Sequence, residues 1–534
     1  MMTRRGIHGT ARRPSRCLAL AALFLLCTLP GRAATPAGQE LFSDGKIRTF
    51  KIEVSETELA ALKKSERAYV PATVTVDGRV FRDVGIHLKG MGSFQPLDQK
   101  PSFVVKFDKY TPEQSFMGLN KIMLNNSVQD STYLAELMAT QMFRDAGVPA
   151  ARVTHAFVEV NHRKLDLYVL IEAMNKEFLK QHFKSAKGNL YEAYLQDIDK
   201  QLDMDGGVDT SQNDRKRLLE FCTIASPLDR WSRLPEVLDV DKYLSHCAIE
   251  MFVAHTDGYA LNRNNYRIYH DPLTGRFTMI AHGLDWGFLN TGAPINPPYN
   301  SIITRAVLGT PDGRRAFWAR EQSLFTNLFK IELFSNRVSS AVAKLCNAAR
   351  DTNEAKRFEG YGREMMNRIV ARHQIVSNHL AAPEPQTVQF DRGGIARLSG
   401  WRTEKKAGTN VTLDITTTNG KVEHVIRSGA VGTIASWRTK VILPASKYRF
   451  SGEVSAVRLV ADSGDTNASV CLRVSGAKRP NKLNGDLAAV SMDHEFEVTV
   501  EGDERELVCE VRAHQGEVRF DVQSLRLVRL KSGQ

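Results

Sequence analysis

Apolar and polar residues alternate along the first part of the chain, which is the pattern of short β-strands. Residues 48–54 (Arg-Thr-Phe-Lys-Ile-Glu-Val) alternate strictly. Two further runs, 69–76 and 79–88, flank Asp77-Gly78, a dipeptide typical of a tight hairpin turn. Residues 102–107 form another strand-like run. We therefore expect this region to be built largely from strands joined by turns.

Helical spacing occurs within the same region. Between Asp130 and Ala146 apolar residues recur every three or four positions, and Gly147 follows as a helix stop. A second hairpin is predicted for residues 156–160 and 165–172, and a further helix for residues 176–183. The region is therefore predicted to be a mixed α+β module.

The middle of the chain predicts longer helices. Apolar residues at helical spacing mark residues 234–257, 321–350 and 353–382. Pro383 and Pro385 then break the pattern, because proline removes a backbone donor and restricts the residue before it. A domain boundary is expected at this point.

The last part of the chain predicts a different class of structure. Short β-branched runs are separated there by Gly, Asn and Asp, at residues 411–416, 448–457, 469–474, 495–500 and 516–527. Several short strands at such spacing are typical of a β-sandwich or jelly roll. Cys471 and Cys509 are each expected within a strand of this region, and the sequence leaves open whether they form a disulfide or are two buried apolar side chains.

The N-terminus has the pattern of an export signal. Five arginines among the first 16 residues precede an apolar run at residues 18–26, and small residues near Ala33 offer a cleavage site. No later segment is apolar enough to span a bilayer. We therefore expect residues 1–34 to be a signal peptide and the mature chain to be exported, without a transmembrane segment, to the periplasm, the cell surface or the medium.

Length and charge add two limits. A chain of 534 residues is too long for one hydrophobic core, so two to three domains are expected. The formal net charge of +12 is spread along the chain, without a basic run that has interleaved aromatic residues. Nucleic acid is therefore not an expected partner.

The strongest chemical signal lies between Asp257 and Asp285. Asn262 follows Asp257 by five positions, and Asp285 opens Asp-Trp-Gly after two strand-like runs, 265–269 and 276–280. Protein kinases place a catalytic Asp and a metal-binding Asn at this spacing, followed by a metal-binding Asp in Asp-Phe-Gly. An equally good interpretation of this segment alone is a hairpin flanked by two surface aspartates.

Ordered pieces along the chain resemble the spore-coat protein H (CotH) kinase family. The matching segments are residues 86–93, 100–107, 123–126, 147–149, 158–161, 167–172, 188–191, 257–259, 264–266 and 283–285. Two positions depart from the family pattern. His282-Gly283 stands where many members have Trp-Asp, and Asp166 stands where many have Gly. The first departure leaves Asp285 as the only carboxylate expected at its site.

The resemblance implies an α+β fold with an atypical protein-kinase-like, two-lobed core, followed by the all-β sandwich or jelly-roll domain. The implied boundaries are an N-lobe at residues 45–170, a C-lobe at residues 171–382 and the β domain at residues 387–534. The implied cofactors are ATP and Mg²⁺ or Mn²⁺. Asp257 would orient or deprotonate the acceptor hydroxyl, and Asp285 with Asn262 or Asn265 would hold the metal.

The resemblance also gives candidate nucleotide-binding residues, each with a simpler alternative. Backbone N–H groups at Gly90 and Gly92, with the Ser93 hydroxyl, would cradle phosphate, unless they form an ordinary glycine turn. A kinase also needs a lysine that faces this turn and contacts the phosphates. The candidates are Lys106, Lys100 and Lys89, although a lysine at a strand edge is usually a solubility device.

Glu172 ends the strand that resembles a kinase hinge, where backbone groups would contact the adenine edge. An equally good interpretation of its carboxylate is a solvated side chain.

The expected function is phosphorylation of Ser or Thr hydroxyls on an exported or surface protein. The C-terminal domain is expected to be carbohydrate-binding-like and to carry the catalytic part to a polysaccharide, or to be a structural appendage. The main alternative is a catalytically silent kinase-like protein that binds at a surface and assists assembly. An exported hydrolase ranks last, because neither Gly-x-Ser-x-Gly nor His-Glu-x-x-His occurs.

Overall fold

Seven strands near the N-terminus of the folded chain close into a barrel, in the order β1-β2-β3-β4-β5-β7-β6. They are β1 (Arg48–Glu53), β2 (Val70–Val76), β3 (Arg79–Lys89), β4 (Ser102–Lys106), β5 (Lys121–Asn125), β6 (Val153–Val160) and β7 (Arg163–Glu172). Neighbouring strands pair antiparallel, except that β1 and β6 close the barrel in parallel.

This computed structural model describes residues 35–297, 299–381, 386–408, 410–418, 420–429, 431–461, 469–479, 483–499 and 502–530. The predicted signal peptide at residues 1–34 and the two prolines at 383 and 385 lie outside these ranges. Among the described residues, no helix is long and apolar enough to cross a membrane.

The hairpin predicted at Asp77-Gly78 is confirmed. Both residues have positive φ (51° and 74°), as a two-residue hairpin turn between right-handed twisted strands requires. The strict alternation of β1 is confirmed as well, because Phe50 and Ile52 are fully buried inside the barrel while Thr49, Lys51 and Glu53 are exposed. Phe50 packs edge-on against Phe116, with ring centroids 5.6 Å apart.

A second, four-stranded sheet has the order β11-β10-β8-β9. Its strands are β8 (Leu190–Ala193), β9 (Asp203–Gly206), β10 (Tyr266–Asp271) and β11 (Arg276–Ala281). The predicted hairpin between β10 and β11 is confirmed: the carbonyl of Asp271 accepts from the N–H of Gly275 at 2.9 Å, and Gly275 has φ of +67°. This hairpin returns the chain from Asn265 towards Asp285.

Twelve α-helices surround these two sheets in the described part of the chain. They are α1 (Gln39–Ser43), α2 (Glu56–Lys64), α3 (Ala135–Asp145), α4 (Lys176–His182), α5 (Asn213–Cys222), α6 (Pro227–Arg233), α7 (Val240–Phe252), α8 (Tyr259–Asn262), α9 (Ile302–Leu308), α10 (Pro311–Asn327), α11 (Ile331–Asn347) and α12 (Thr352–Ala381). Two 3₁₀ turns cover Leu234–Glu236 and Leu284–Trp286.

The helices pack mainly by one apolar face each. Helix α3 buries Met138, Met142 and Phe143 in a core shared with α7. The 30-residue α12 buries positions spaced at three, four or seven residues, among them Met365 and Ile369. The single helix predicted at residues 321–350 is two helices in the structure. Helix α10 ends at Asn327, and α11 begins at Ile331.

The C-terminal region is a β-rich sandwich, as the strand pattern predicted. Its strands are β12 (Gln386–Thr387), β13 (Ile395–Arg397), β14 (Arg402–Ala407), β15 (Val411–Thr418), β16 (Lys421–Ser428), β17 (Thr433–Leu443), β18 (Ser446–Ala461), β19 (Val470–Val474), β20 (Gly485–Val498), β21 (Asp503–Asp521) and β22 (Arg526–Leu530). The central path runs β12-β17-β21-β18-β22-β13, and the remaining strands pair onto it.

In this region the structure corrects one predicted strand and decides whether the two cysteines form a disulfide. The run at residues 516–527 is not one strand, because Asp521 accepts from the N–H of Gln523 at 3.0 Å and turns the chain between β21 and β22. Cys509 pairs with Leu472 and Glu510 with Cys471, so the two cysteines point to opposite faces of the sheet. Both thiols are free and buried.

Candidate functional site

Asp257 lies in the loop between α7 and α8, and three asparagine side chains hold its carboxylate. Asn262 donates to Oδ1 at 2.5 Å, while Asn264 and Asn265 donate to Oδ2 at 3.0 and 2.9 Å. The chain folds tightly enough for this because Arg263 and Asn265 adopt positive φ (53° and 47°). The amides fix the carboxylate in one orientation, and Oδ1 keeps a free lone-pair direction for another donor.

A buried carboxylate on α7 fixes the start of α8. Glu250 accepts from the N–H groups of Tyr259 (2.9 Å) and Ala260 (3.1 Å), and the Nε2 atom of His246 lies 3.3 Å from its carboxylate. Burial acts to raise the pKa of Glu250, but His246, His255 and the backbone donor lower it below its usual value. Glu250 therefore remains an acceptor that positions the Asp257 loop.

His255 lies two residues before Asp257 and is 1% exposed. Neither ring nitrogen has a hydrogen-bond partner among the described residues. Burial lowers the pKa of His255, and the carboxylates of Glu250, Asp257 and Asp285 act against that shift. The ring therefore lies within electrostatic range of both aspartates. This residue was not predicted from the sequence, although its spacing from Asp257 matches the His-x-Asp of the kinase catalytic loop.

Asp285 lies in the 3₁₀ turn that follows Gly283, a residue with φ of +61°. A Cβ atom at Gly283 would lie 2.6 Å from Oδ1 of Asn265, so the asparagine side chain passes directly over this glycine. Asn265 therefore joins the Asp257 loop to the turn that carries Asp285. Burial raises the pKa of Asp285, and the charges of Lys89 and His255 oppose that rise.

Lys89 and Glu136 complete the charged cluster around Asp285. Lys89 is the last residue of β3, and Glu136 lies in the first turn of α3. Burial and then repulsion from Asp285 raise the pKa of Glu136 to about 8, while Lys89 acts to lower it. Burial lowers the pKa of Lys89 against the pull of Asp285, Glu136 and Glu192. The expectation that Asp285 is the only carboxylate at its site is therefore wrong.

The glycine turn follows Lys89 directly. Gly90 has φ of +108°, and Asn126 fixes the far side of the loop by donating to the carbonyls of Ser93 (3.2 Å) and Lys100 (2.8 Å). A Cβ atom at Gly92 would meet only the Gln129 amide, at 3.4 Å. The backbone at Gly92 is therefore open to the outside, and the turn starts at the lysine that faces Asp285 and Glu136.

The other predicted phosphate lysines lie elsewhere. Lys100 donates to the hydroxyl of Tyr133 (2.7 Å) and to the carbonyl of Leu167 (2.8 Å), and its charged neighbours are Asp166 and Arg357. The structure therefore does not bring Lys100 to the Asp285 cluster.

Lys106 stands opposite Lys121 in the β4–β5 register and lies 3.9 Å from Asp108, with its side chain 36% exposed. It remains on the barrel wall, and of the three predicted lysines only Lys89 is among the charges that act on Asp285.

The carboxylate of Glu172 is not solvated. The side chain is 1% exposed and forms an ion pair with Arg152 at 2.5 Å, and Gln181 donates to the same oxygen at 2.9 Å. The interpretation of a solvated carboxylate is therefore wrong. These contacts hold the end of β7 against the chain at Arg152.

A second set of charges, not predicted from the sequence, lies on the four-stranded sheet. Arg267 of β10 is paired with Glu192 of β8, its direct cross-strand neighbour, at 2.6 Å, and also with Asp205 of β9. His282, one of the two departures from the family pattern, places Nε2 3.6 Å from Glu192. The sequence feature that could have indicated this set is the presence of oppositely charged residues on strands that pair with each other.

Asp166, the other departure, pairs with Arg350 at 2.6 Å and with Arg357 of α12 at 3.0 Å. It therefore ties the barrel to the helices instead of contacting the cluster around Asp285.

The donor set fits a hard divalent cation bound together with phosphate. Among the described residues, no group of three His, Cys, Asp or Glu side chains is placed to hold a metal alone. Asp285 offers a carboxylate and Asn265 an amide oxygen, and Oε2 of Glu136 has no hydrogen-bond partner within the described part of the chain. Magnesium typically takes one or two protein oxygens and completes its shell with phosphate and water.

Comparison with known proteins follows the same segments. The family model described as "CotH kinase protein" matches residues 86–378, more than half of the chain. The "Inner spore coat protein H" of Bacillus subtilis (strain 168) is 22% identical over 369 residues, which cover 64% of this chain and 99% of that protein.

Two solved structures resemble smaller parts of the chain. One is TmCBM61 in complex with β-1,4-galactotriose, at 15% identity and a TM-score of 0.17, covering 25% of this chain and 91% of that one. The other is a structure described as "CBM4 structure and function", at 11% identity and a TM-score of 0.18, covering 24% of this chain and 86% of that one.

Proposed function

Because the chain belongs to the CotH kinase family, we propose that it transfers the γ-phosphoryl group of ATP to Ser or Thr hydroxyls of an exported or surface protein. In this proposal the barrel is the N-lobe of a kinase-like core and the helices with the four-stranded sheet are its C-lobe. One observation supports it most strongly. Asn265 joins the Asp257 loop to the Asp285 turn, and Lys89 with Glu136 faces that turn at the start of the glycine loop.

In this proposal the carboxylate of Asp257 accepts a hydrogen bond from the hydroxyl that is to be phosphorylated. Its three asparagine partners are neutral donors, so they orient the carboxylate without neutralising its charge. Glu250 and the backbone of Tyr259 and Ala260 hold the loop that carries it. A hydroxyl that donates to Oδ1 would therefore meet an acceptor that is already in place, which lowers the entropy cost of the reaction.

Lys89 and the N–H groups near Gly90 and Gly92 are the proposed phosphate contacts. Lys89 comes from a strand end and is half-buried, so its charge acts more strongly on a phosphate than an exposed lysine would. Asp285, with Asn265 or Asn262, would hold Mg²⁺ or Mn²⁺. When bound, that cation neutralises charge on the phosphate oxygens.

The electrostatics of the cluster agree with such a ligand. Burial raises the pKa of Asp285, and burial with repulsion from Asp285 raises that of Glu136, while Lys89 opposes both shifts without cancelling them. A cation bound here would relieve the repulsion between the two carboxylates. Clustered groups of this kind in a cleft are a general mark of functional sites.

The test is transfer of labelled γ-phosphate by the purified chain, with Mg²⁺ or Mn²⁺, to exported proteins and to itself. Asp257→Asn is expected to bind nucleotide normally and to transfer about 10²-fold more slowly. Asp285→Ala is expected to lose divalent-dependent nucleotide binding. Asp493→Asn, an exposed carboxylate in the C-terminal region, serves as the control and should match the parent.

Two outcomes would decide against the proposal. Transfer by Asp257→Asn at the parental rate would remove this residue from the mechanism. Nucleotide binding without transfer to any protein would favour the alternative of a silent surface-binding protein. Binding of a polysaccharide by the C-terminal β domain is a separate part of the proposal, tested by retention of residues 386–534 on immobilised glycans.

A further inference from the structure

A cavity of about 220 Å³ lies between helices α9 and α10 and the C-terminal β strands. Its wall includes the aromatic side chains of Tyr299, Phe317 and Trp318 and the carboxylates of Glu321 and Glu504. None of these residues belongs to the proposed catalytic site. An aromatic wall with a few convergent polar groups is the usual composition of a small-molecule site.

Glu321 is the unusual member of this wall. It is fully buried, and neither carboxylate oxygen has a hydrogen-bond partner among the described residues. Nε2 of His379 lies 3.6 Å from its Oε2 atom. A buried carboxylate without a donor is costly, because nothing replaces the water that it has lost.

The hydrogen bonds around His379 explain why it does not supply that donor. The hydroxyl of Tyr299 donates to Oδ1 of Asn296 at 2.9 Å, which turns the amide nitrogen of Asn296 towards Nε2 of His379 at 3.3 Å. A ring nitrogen that accepts from an amide carries no proton to give to Glu321. With this nitrogen turned to Asn296, His379 stays beyond hydrogen-bond distance of the Glu321 carboxylate.

The charges nearby leave a cation as the missing partner. Burial raises the pKa of Glu321, Glu504 adds to the rise, and His379 and Lys440 oppose it. Lys440 is engaged with Glu504 at 2.8 Å. Of the three arginines in the wall, Arg314 donates to the carbonyls of Leu308 and Gly502, and Arg315 pairs with Asp312 at 3.3 Å. The third, Arg305, is exposed to solvent and is not among the charges that act on Glu321.

We propose that this cavity binds a small protonated amine. The ammonium group would donate to Glu321, and the carbon skeleton would pack against Trp318, Tyr299 and Phe317, whose rings attract a cation. A neutral sugar would leave the buried charge uncompensated. Within the described residues no set of metal-ligating side chains surrounds Glu321, which argues against a metal ion as the occupant.

The probe is 2-phenylethylamine, compared with 2-phenylethanol, which has the same shape and no charge. Isothermal titration of the purified full chain at pH 7 should show one amine site. The alcohol should bind at least about tenfold more weakly than the amine. Glu321→Gln should weaken the amine about tenfold or more while it keeps the side-chain shape. Glu332→Gln, an exposed glutamate on the neighbouring α11, should bind like the parent.

Equal binding of amine and alcohol, unchanged affinity in Glu321→Gln, or no amine binding by the parent would each overturn the proposal. If Glu321→Gln does not fold, Trp318→Leu replaces it and should weaken the amine because a cation-attracting ring is lost. Unchanged affinity in that variant would overturn the proposal equally. Phosphate transfer is not a readout here, so this result is independent of the kinase activity.

Discussion

The side chain of Asn265 lies directly over Gly283, so closely that a Cβ atom at position 283 would be 2.6 Å from the amide oxygen. The same asparagine donates to Asp257 at 2.9 Å. Gly283 precedes Asp285 by two residues. The two aspartates of the proposed kinase mechanism are thus held at a fixed distance by the Asn265 amide, which fits there because residue 283 is a glycine.

Gly283→Ala should therefore uncouple the two aspartates. The new methyl group would push Asn265 away, and we expect phosphate transfer to fall about tenfold or more, since small displacements of reacting groups are costly. Gly275→Ala is the matched control. Gly275 has a similar φ (+67°) but nothing within 4 Å of its added Cβ, so this variant should lose only about 1 kcal/mol of stability. Equal activity of the two variants would show that the Asn265 contact does not matter.

The proposed phosphate lysine is Lys89, not Lys100. Lys89→Met should abolish nucleotide binding, because this lysine faces Asp285 and Glu136 beside the glycine loop. Lys100→Met should bind nucleotide like the parent, because Lys100 is committed to Tyr133 and Leu167. The measurement is nucleotide affinity with Mg²⁺ present. A loss in Lys100→Met alone would reverse the assignment.

Lys100 should instead influence how stability changes with pH. Burial lowers the pKa of Lys100 to about 8 from 10.5, so between these values the unfolded chain binds more protons than the folded chain. The parent should therefore gain stability, relative to Lys100→Met, as the pH rises from 8 to 10.5. Melting temperatures of both proteins across this range provide the measurement. A constant difference would show that Lys100 is not desolvated.

The sequence pattern predicted most local elements for reasons that are local. Turn chemistry at Asp77-Gly78 and alternation in β1 need only neighbouring residues, and both are confirmed. The start of α3 was predicted too early. The carboxylate of Asp130 accepts from the N–H groups of Thr132 and Ala135, both at 2.9 Å, so the helix begins at Ala135 instead.

The partners of Asp285 were not predictable in this way. Lys89 reaches it from the end of a barrel strand and Glu136 from a helix, and both are more than 140 residues away along the chain. Whether Lys89 and Glu136 come close to Asp285 depends on how the barrel closes through the parallel pair β1–β6. The periodicity of apolar residues does not predict that pairing. The three candidate lysines have similar sequence contexts, so only the fold separates Lys89 from Lys100.

The C-terminal region should fold alone. Its hydrophobic core draws all its members from residues 388–527, so removal of the preceding chain exposes none of that core through lost partners. A fragment of residues 386–534 is expected to be soluble and to melt cooperatively. Circular dichroism during heating checks this. An unfolded fragment would mean that the contacts of Arg314 with Gly502 and its surroundings are required for stability.

Arg372 is predicted to be the costliest single residue to lose from the helical part. It is fully buried on α12, and its guanidinium donates to the carbonyls of Met251, Phe252, Thr291 and Ala293. The first two end α7, just before the Asp257 loop, and the last two follow the Asp285 turn. One side chain thus fixes the chain on both sides of the proposed site.

Arg372→Met keeps much of the side-chain volume but removes the guanidinium that donates to these four carbonyls. We expect a loss of about 3–5 kcal/mol in the free energy of unfolding, the scale for breaking a buried charged network. Arg363→Met, an exposed arginine on the same helix, should change it by no more than about 0.5 kcal/mol. Urea unfolding followed by tryptophan fluorescence compares the three proteins. If the two variants unfold at the same urea concentration, the guanidinium of Arg372 does not anchor the site, and the loops at Asp257 and Asp285 must be held by their own contacts.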